Sequence, residues 1–409
     1  MLRPAAKTTP ERARVLLIIA FSMTGFVAFS WMARIPSVMD ALSVNTPQFG
    51  AVLLVGSIGS VITVIASGSL LNRFGTTRLY LWGTVINASG IALMGVGPAL
   101  ASVWLFTLGI IISGIGGSLL NVAVNLESAR IEQALRRTVI PHFHAGFSLG
   151  AVIGSLTGAG SSSLGIPVSV QFVAIAVISA AIRLGALLGG VVLPGRDLAT
   201  SSGGTWLAKL RSELSAWTEP RTMQIALVAF VASFSEGTAN NWLTVSFVED
   251  FTQPESVAGL ALGVFIGAMT LLRILGARLI DRLGRSRSLQ VSLVTSLIGL
   301  ILFGVSSSAG LAVIGTALWG FGAALCFPIA VAAASDEPAL AAGRVSVVAA
   351  MGSVAALVAA PMVGFLAAGL GAQRAILVVL VGLVASLVVS RRVDPPASPL
   401  TADTPQDCS

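Results

Sequence analysis

The sequence has 409 residues, of which 55% are hydrophobic and only 10% are charged, and its net charge is +7. Soluble domains carry about 25% charged residues, so this composition excludes an ordinary soluble protein. The positive charge does not indicate nucleic-acid binding, because the arginines are scattered through short loops and form no single basic face. The two cysteines predict neither a disulfide framework nor a metal site, and we expect no cofactor.

A helix needs about 20 mostly apolar residues to span a bilayer, and twelve segments of the chain qualify. The basic N-terminus leads into the first one without a small-residue cleavage pattern, so we interpret this run as a spanning helix and not a signal peptide. The predicted bounds are 14–35, 47–71, 78–97, 101–126, 140–163, 168–193, 222–247, 256–280, 288–307, 310–334, 345–369 and 372–390.

The longest polar stretch, 194–221, divides these segments six and six. The sequence therefore predicts an all-α integral membrane protein with twelve transmembrane helices in two six-helix bundles. The bundles are expected at 1–193 and 222–392, joined by a cytoplasmic linker at 194–221. The tail 393–409 is rich in proline and polar residues, so we expect it to be disordered and cytoplasmic.

The basic residues predict the orientation of the helices. If the N-terminus is cytoplasmic, all but four of the 24 lysines and arginines lie in cytoplasmic segments or at the adjoining helix ends. The four exceptions are Arg34, Arg183, Arg273 and Arg374. Cytoplasmic loops of membrane proteins are enriched in lysine and arginine, so both termini are expected inside the cell.

A short basic turn at 276–287, between two apolar runs, has a weaker copy at 68–78. The matched pairs are Asn72 and Asp281, Arg73 and Arg282, Gly75 and Gly284, and Arg78 and Arg287. In each pair the two positions are 209 residues apart. Because the spacing is constant, the two halves are expected to be homologous membrane bundles.

These turns resemble the Gly-x-x-x-Asp-Arg-x-Gly-Arg loop of the major facilitator superfamily. The stretches 30–36, 144–150 and 236–243, together with Asp336 and Arg344, resemble its MosC/YbjJ-type subfamily. The resemblance covers nearly the whole chain and implies the major facilitator fold and transport by alternating access. It implies little about the substrate.

Two acids suggest a cytoplasmic gate. Glu127 ends the fourth predicted helix and Asp336 the tenth, and their separation is again 209 residues. We expect Arg73 to pair with Glu127, and Arg282 with Asp336, when the cytoplasmic gate is shut and the outside is open. The neighbouring turn residues are expected to belong to the same gate; they are Asn72, Gly75, Asp281 and Gly284. The alternative is that these are solvated loop charges with no gating role.

Glu236 breaks the repeat, since its counterpart in the first helix is Val27. It lies near the middle of the seventh helix, and Asn240, one turn further on, shares its face, with Asn241 adjoining. A carboxyl group that gains and loses a proton at mid-membrane suits proton coupling. Glu236 is therefore predicted to bind substrate or the coupling proton. The alternative is a protonated acid that only bonds a neighbouring helix.

Trp31 and Trp242 occupy similar places in the two halves, and Arg34 follows Trp31 at the outer part of the first helix. An aromatic ring and a guanidinium that face a cavity would suit a sugar-like or carboxylate-bearing ligand. The alternative is that these side chains anchor the helices at the membrane boundary, where tryptophan and arginine are common.

The remaining polar residues inside helices carry two interpretations each. His144 could titrate near its usual pKa or could bond a neighbouring helix. Asn121 and Asn125 could face the cavity or connect helices. Arg273 could pair with Glu236 or a substrate anion, although extension toward the nearer membrane face is the simpler account for it and for Arg183.

We therefore predict a monomeric, multi-pass secondary transporter of the inner or plasma membrane. It is expected to bind a small-molecule solute and a coupling proton between its halves. Few charges line the expected cavity, so a small neutral or singly charged polar solute, such as a sugar derivative, fits best. No nucleotide-binding loop and no nucleophile–base cluster occurs, which argues against an enzyme.

Two other functions remain open. A drug or metabolite efflux antiporter would share the architecture. Such antiporters often carry a Gly-Pro motif in the fifth helix, whereas here the glycines between Gly146 and Gly158 have no proline among them. A membrane sensor or scaffold that carries no flux would also share the fold.

Overall fold

The structure, a computed structural model, describes residues 9–194 and 215–394, which are almost entirely helical and contain no strand. We number its twelve membrane-length helices in chain order. They are α1 (Pro10–Met32), α2 and α3 (the limbs of Thr46–Ala99 before and after Gly75), α4 (Val103–Leu135), α5 (Ile140–Ser163), α6 (Val168–Leu188), α7 (Pro220–Glu249), α8 (Glu255–Leu283), α9 (Arg285–Val305), α10 (Ala309–Ala334, in two pieces), α11 (Pro338–Leu370) and α12 (Ala372–Val393, in α and 3-10 turns). A short helix, Ile35–Leu42, joins α1 to α2.

Nine helices within the described ranges are long and apolar enough to cross a membrane. One of them, Thr46–Ala99, has 54 residues, which is more than twice what a bilayer needs, so it supplies two crossings. The helices α5 and α7 are long enough but more polar, since α5 carries two histidines and α7 carries Glu236 and two asparagines. The predicted all-α fold is confirmed.

Gly75 and Gly284 adopt nearly the same unusual backbone conformation. Gly75 has φ 75° and ψ 164°, and Gly284 has φ 78° and ψ 168°. Only glycine enters this region without steric strain, because a Cβ atom would clash with the backbone. Each glycine ends one helix and starts the next within a single residue, so the sequence repeat corresponds to a repeated chain reversal.

Each bundle has its own apolar packing, and the bundles meet at one end. We call the end that carries Arg78 and Arg285 the basic end, and the opposite end the far end. One apolar cluster, which includes Leu17, Tyr80 and Phe143, lies wholly within α1–α6 and the residues after α6. A larger cluster spans both bundles and includes Phe49 and Trp242.

Close backbone contacts hold the two bundles together at the far end. A Cβ atom on Gly50 of α2 would lie 3.1 Å from the carbonyl oxygen of Ala360 in α11. On the other side, a Cβ on Gly259 of α8 would lie 3.0 Å from the Cβ of Ala159 in α5, and the Ser155 hydroxyl donates to the Gly259 carbonyl at 2.6 Å. Small residues therefore allow α2 to approach α11, and α5 to approach α8, at backbone distance.

Arg183 of α6 does not extend to the membrane face, so that prediction is wrong. It is 2% exposed and donates to Asn87 Oδ1 at 2.7 Å and to Thr24 Oγ1 at 3.4 Å. Two polar groups from α1 and α3 thus solvate the guanidinium inside the first bundle, where a route to the surface would cross packed helices.

The predicted domain boundaries stay predictions. Residues 1–8, most of the expected linker (195–214) and most of the expected tail (395–409) lie outside the described residues.

The two chain-reversal glycines give a stability prediction. We expect Gly75→Ala and Gly284→Ala each to lower the free energy of unfolding by about 1–3 kcal/mol, because alanine is strained at this φ. Gly185→Ala is the control, since Gly185 is helical and its Cβ would meet no atom within 4 Å. Thermal unfolding of the purified protein in detergent measures all three, and equal midpoints for the three variants would contradict the prediction.

Candidate functional site

The candidate site is a central cavity beside the middle of α7. Ser233, Glu236, Gly237 and Asn240 lie on one face of this helix, because they recur every three or four residues. Together with Phe327 of α10 and residues of α11, they line a recess of about 440 Å³. The predicted common face of Glu236 and Asn240 is thus present. The Asn240 Oδ1 atom is buried and accepts no hydrogen bond from the described residues.

Glu236 forms an ion pair with Arg273 of α8. The distance from Arg273 Nη2 to Glu236 Oε2 is 3.2 Å, and the two side chains are 32% and 31% exposed. Arg273 therefore extends toward the cavity and not toward the membrane face. This outcome corresponds to the pairing that the sequence had left open. A carboxylate therefore lines the recess, and a partly exposed guanidinium is paired with it.

Arg273 also contacts a break in α10, and a proline explains that break. In a regular helix the N–H of residue 328 would donate to the carbonyl of Ala324, but Pro328 has no N–H and its ring clashes with that carbonyl. The helix is interrupted at residues 324–325, between Ala309–Ala323 and Cys326–Ala334. Arg273 Nε donates to the free Ala324 carbonyl at 3.4 Å. One guanidinium therefore connects α7, α8 and α10.

A second recess of about 380 Å³ lies between the bundles. Trp31 of α1 and Ser113 of α4 line it from the first bundle, and Asn241 and Ala356 line it from the second. Ala356 also lines the first recess, so the two recesses adjoin. The side chain of Asn241 donates to the Gly237 carbonyl at 2.7 Å. Trp31 and Asn241 thus both line this second recess, and their role in binding stays a prediction.

Trp242 does not face the cavity, and its predicted contact with a ligand does not fit this position. The side chain is fully buried, and its indole N–H donates to the Ala360 carbonyl of α11 at 3.1 Å. A Cβ on Gly364 would lie 2.9 Å from the indole ring. Trp242 therefore fills the closed far end, between α7 and α11.

Arg34 also lies away from the central cavity. It is 4% exposed, and its Nε atom lies 2.8 Å from Glu255 Oε2 at the start of α8 in the other bundle. The Ser37 backbone N–H and hydroxyl donate to the same carboxylate at 2.8 and 2.6 Å. A buried ion pair therefore connects the bundles at the far end, and no ligand is needed to account for Arg34.

Sequence reasoning missed three members of this far-end network. Gln171 of α6 accepts from Arg34 at 2.7 Å and donates to the Ser30 carbonyl and hydroxyl at 3.1 Å. Glu255 and Ser30 were not singled out either. The sequence could have pointed to this network through Arg34, because a buried cation at the far end needs a counter-charge there.

The other predicted pathway residues are more exposed. His144 of α5 contacts Phe21 edge-on at 5.6 Å and lies within electrostatic range of Arg273 across the two bundles. Asn125 donates to the carbonyl and side-chain oxygen of Asn121 within α4, at 2.8 and 3.1 Å. The exposed Asn121 lies two turns along from Gly114, which lines the second recess, so the two share a face.

The two ion pairs predicted for the basic end are not formed in this conformation. Glu127, which is 1% exposed, pairs with Arg130 at 3.1 Å and accepts from the Leu193 backbone N–H at 2.7 Å. Asp336 pairs with Arg221 at 2.8 Å and also with Arg285. Each acid thus binds an arginine within its own bundle.

The remaining gate residues lie on the surface of the basic end. Arg73 is exposed, and its guanidinium lies 5.2 Å from the ring centre of Phe74. Asn72, Asp281 and Arg282 are also exposed. The sequence therefore located the charges of the basic end. In this conformation, however, Glu127 and Asp336 pair with arginines other than the predicted Arg73 and Arg282.

Within the described residues, twelve helices form two bundles beside a cavity with polar groups, an arrangement typical of membrane transporters. The family model of the Major Facilitator Superfamily matches residues 15–245 and 225–407, so the chain belongs to this superfamily. The predicted family is confirmed, and the relatives and structural neighbours are transporters, which agrees with the prediction that the protein is not an enzyme.

Two relatives and one solved structure cover nearly the whole chain. An uncharacterized transporter, y4wD, of Sinorhizobium fredii is 28% identical over 90% of this chain and 94% of its own length. Membrane protein MosC of Rhizobium meliloti is 23% identical over 92% of this chain and 90% of its own. The crystal structure of nucleoside transporter NupG (D323A mutant) has a TM-score of 0.75 at 15% identity and covers 93% of this chain and 98% of that chain.

The far-end ion pair gives a prediction about conformation. Glu255→Gln leaves Arg34 buried without a charged partner, and breaking such a pair typically costs about 3–5 kcal/mol. Because the pair joins the bundles only when the far end is closed, we expect the variant to open there roughly 150- to 5,000-fold more often. The labelling rate of Ser57→Cys by an impermeant maleimide added at the far end measures this opening, in a Cys326→Ser, Cys408→Ser background.

Two controls accompany this measurement. Glu11→Gln removes an acid of an exposed surface pair and should leave the labelling rate unchanged. The exchange of charges in Arg34→Glu with Glu255→Arg should slow the labelling again. If Glu255→Gln labels no faster than the parent protein, the pair does not hold the far end closed.

Proposed function

We propose that this protein is a secondary active transporter that moves a small polar solute, sugar-like or a related metabolite, across a cell membrane by alternating access, coupled to protons. The observation that carries the proposal is the ion pair between Arg273 and Glu236, which lines the recess beside the middle of α7. Ionisable groups at this depth are expensive and are usually retained for a transport pathway.

The lining of the cavity supports a hydroxyl-bearing solute. Asn240 and Asn241 offer amide groups, Ser233 and Ser113 offer hydroxyls, and Trp31 offers an aromatic face. Amides and hydroxyls bond sugar hydroxyls, and aromatic rings pack against apolar ring faces. NupG, which has the same fold, is a nucleoside transporter, and a nucleoside also carries a sugar.

Alternating access requires that the far end open when the basic end closes. We propose that the basic end is cytoplasmic, because it carries most of the arginines, and that both termini lie there. The far end is closed by backbone contacts and by Arg34–Glu255, whereas Asp281 and Arg282 are exposed at the basic end. The exposed turns are proposed to form the gate contacts of the opposite conformation, with the protein acting as a monomer.

The coupling proposal predicts the effect of one substitution. We expect Glu236→Gln to abolish solute uptake driven by a proton gradient, because a glutamine cannot carry a proton across, while solute exchange at equal pH continues. Uptake of labelled sugars, nucleosides and sugar derivatives into proteoliposomes measures both modes. Gradient-driven uptake that survives in Glu236→Gln would contradict proton coupling at this residue.

The same assay separates the alternative functions. Binding of solute without flux would indicate a sensor, and extrusion of solute in exchange for protons would indicate an efflux antiporter.

The gate proposal predicts a change of equilibrium without a loss of binding. Asp281 forms no ion pair with the described residues in this conformation. Asp281→Asn should therefore destabilise only the other conformation, in which the basic end is closed. We expect a several-fold shift toward the conformation that is open at the basic end, with Asp40→Asn at the exposed far end as control. Maleimide labelling from the two sides measures the ratio, and an unchanged ratio would remove Asp281 from the gate.

A further inference from the structure

We infer that the transported solute is a monoanion that carries one carboxylate on a polyhydroxylated body, and that Arg273 binds this carboxylate once a proton has neutralised Glu236. The inference rests on the proposed function and names the substrate class of the same cavity.

The first step is that the positive charge paired with Glu236 is permanent and held in place. An arginine stays protonated in proteins, whereas a glutamate can be neutralised by one proton. Arg273 is fixed by Glu236 on one side and by the Ala324 carbonyl, freed by Pro328, on the other. Glu236 is therefore the member of the pair that can give up its charge while the guanidinium stays.

The second step is the charge balance around Glu236. Its recess is otherwise lined by neutral residues, which are Ser233, Gly237, Asn240, Phe327, Ala349, Gly352, Ser353 and Ala356. With the cavity empty, Glu236 and Arg273 neutralise each other. A proton alone would leave Arg273 without a counter-charge, and an anion alone would add an uncompensated negative charge. Proton and monoanion together restore neutrality, so each favours the binding of the other.

A cationic solute fits this balance less well. A cation that took Glu236 would displace Arg273, and the cavity would then hold two positive charges against one carboxylate. The guanidinium could not relieve this by losing a proton.

The third step concerns the body of the solute. The Asn240 Oδ1 atom is buried and accepts no hydrogen bond from the described residues, and it lies one turn along α7 from Glu236. An unsatisfied buried acceptor requires a donor, which a hydroxyl group provides. The adjoining recess with Trp31 gives room for a ring. A sugar acid satisfies all of these groups at once.

His144 is a second titratable group near this site. It is exposed on α5 and lies within electrostatic range of Arg273 in the other bundle. Its protonation would add a positive charge and would also favour an anion, so pH dependence alone does not assign the proton. Variants of Glu236 and His144 separate the two.

The test uses purified full-length protein in detergent and in proteoliposomes. The probes are D-glucuronate, D-galacturonate and D-gluconate, each with its neutral counterpart D-glucose, D-galactose or D-sorbitol. We expect at least one acid to bind and to drive proton uptake with a flux at least tenfold above its counterpart. A membrane potential set by potassium and valinomycin should not change this flux, because proton and monoanion move no net charge.

The pH dependence of binding gives the sharper readout. While Glu236 is ionised in the empty cavity, affinity for the acid should rise by up to about tenfold for each unit by which pH falls, since one proton is bound with each anion. Glu236→Gln imitates the protonated state. We expect it to bind the acid at pH 7.5 as tightly as the parent protein does at pH 5.5, with no proton flux. Ligand-induced shifts of thermal unfolding measure these affinities and show that the variants are folded.

The arginine is tested directly by substitution. Arg273→Gln should lower affinity for the acid at least tenfold, whereas Arg374→Gln, an exposed arginine at the far end, should leave it unchanged. If Arg273→Gln does not fold, the Glu236→Gln result decides alone.

Three results would overturn the inference. Neutral sugars carried as well as their acids would refute the anion and leave the proposed function standing. A pH dependence that persists in Glu236→Gln and disappears in His144→Gln would assign the proton to His144. No flux with any acid, sugar or nucleoside would refute the proposed function, and the inference with it.

Discussion

A charged side chain inside a helical membrane bundle needs a partner, and this requirement shapes the interior of the protein. Arg183 is solvated by Asn87 and Thr24, Arg34 by Glu255 and Gln171, and Arg273 by Glu236 and a helix carbonyl. The first arrangement lies within one bundle. The second connects the bundles, and the third lies in the cavity. The same physical requirement therefore contributes to fold stability, to closure of the far end and to the chemistry of the site.

The closed far end combines two kinds of contact with different sensitivities. Glycines allow helix backbones to touch, as at Gly50 and Gly259, and these contacts depend on shape alone. The Arg34–Glu255 pair depends on charge and on being sealed from water. Opening must separate both kinds at once. A conformational change of this type is consequently cooperative, and its equilibrium can be shifted by a single buried carboxylate.

The sequence was sufficient for the fold and for part of the site. Hydrophobic segments of membrane length and the 209-residue repeat predicted the twelve helices, and the repeat matched Gly75 with Gly284, which share a backbone conformation. Glu236 and Asn240 were found because helical periodicity fixes which residues share a face. The sequence did not reveal the rotation of each helix about its axis or the side-chain contacts between residues that are distant in the chain. Trp242 and Arg34 were placed at the cavity by local pattern, yet each points into a contact with a residue more than a hundred positions away.

The break in α10 has a mechanical consequence. The piece before it is anchored to α7, where the Trp319 indole N–H donates to Ser235 Oγ at 2.7 Å, and to α9 through Gly322. The piece after it carries Phe327 at the cavity wall and continues toward Asp336 at the basic end. Pro328 removes the hydrogen bond that would stiffen the junction between the two pieces of α10. The second bundle therefore contains a hinge and is not one rigid body. A displacement of Arg273 can therefore bend the piece Cys326–Ala334 while the piece Ala309–Ala323 stays in place.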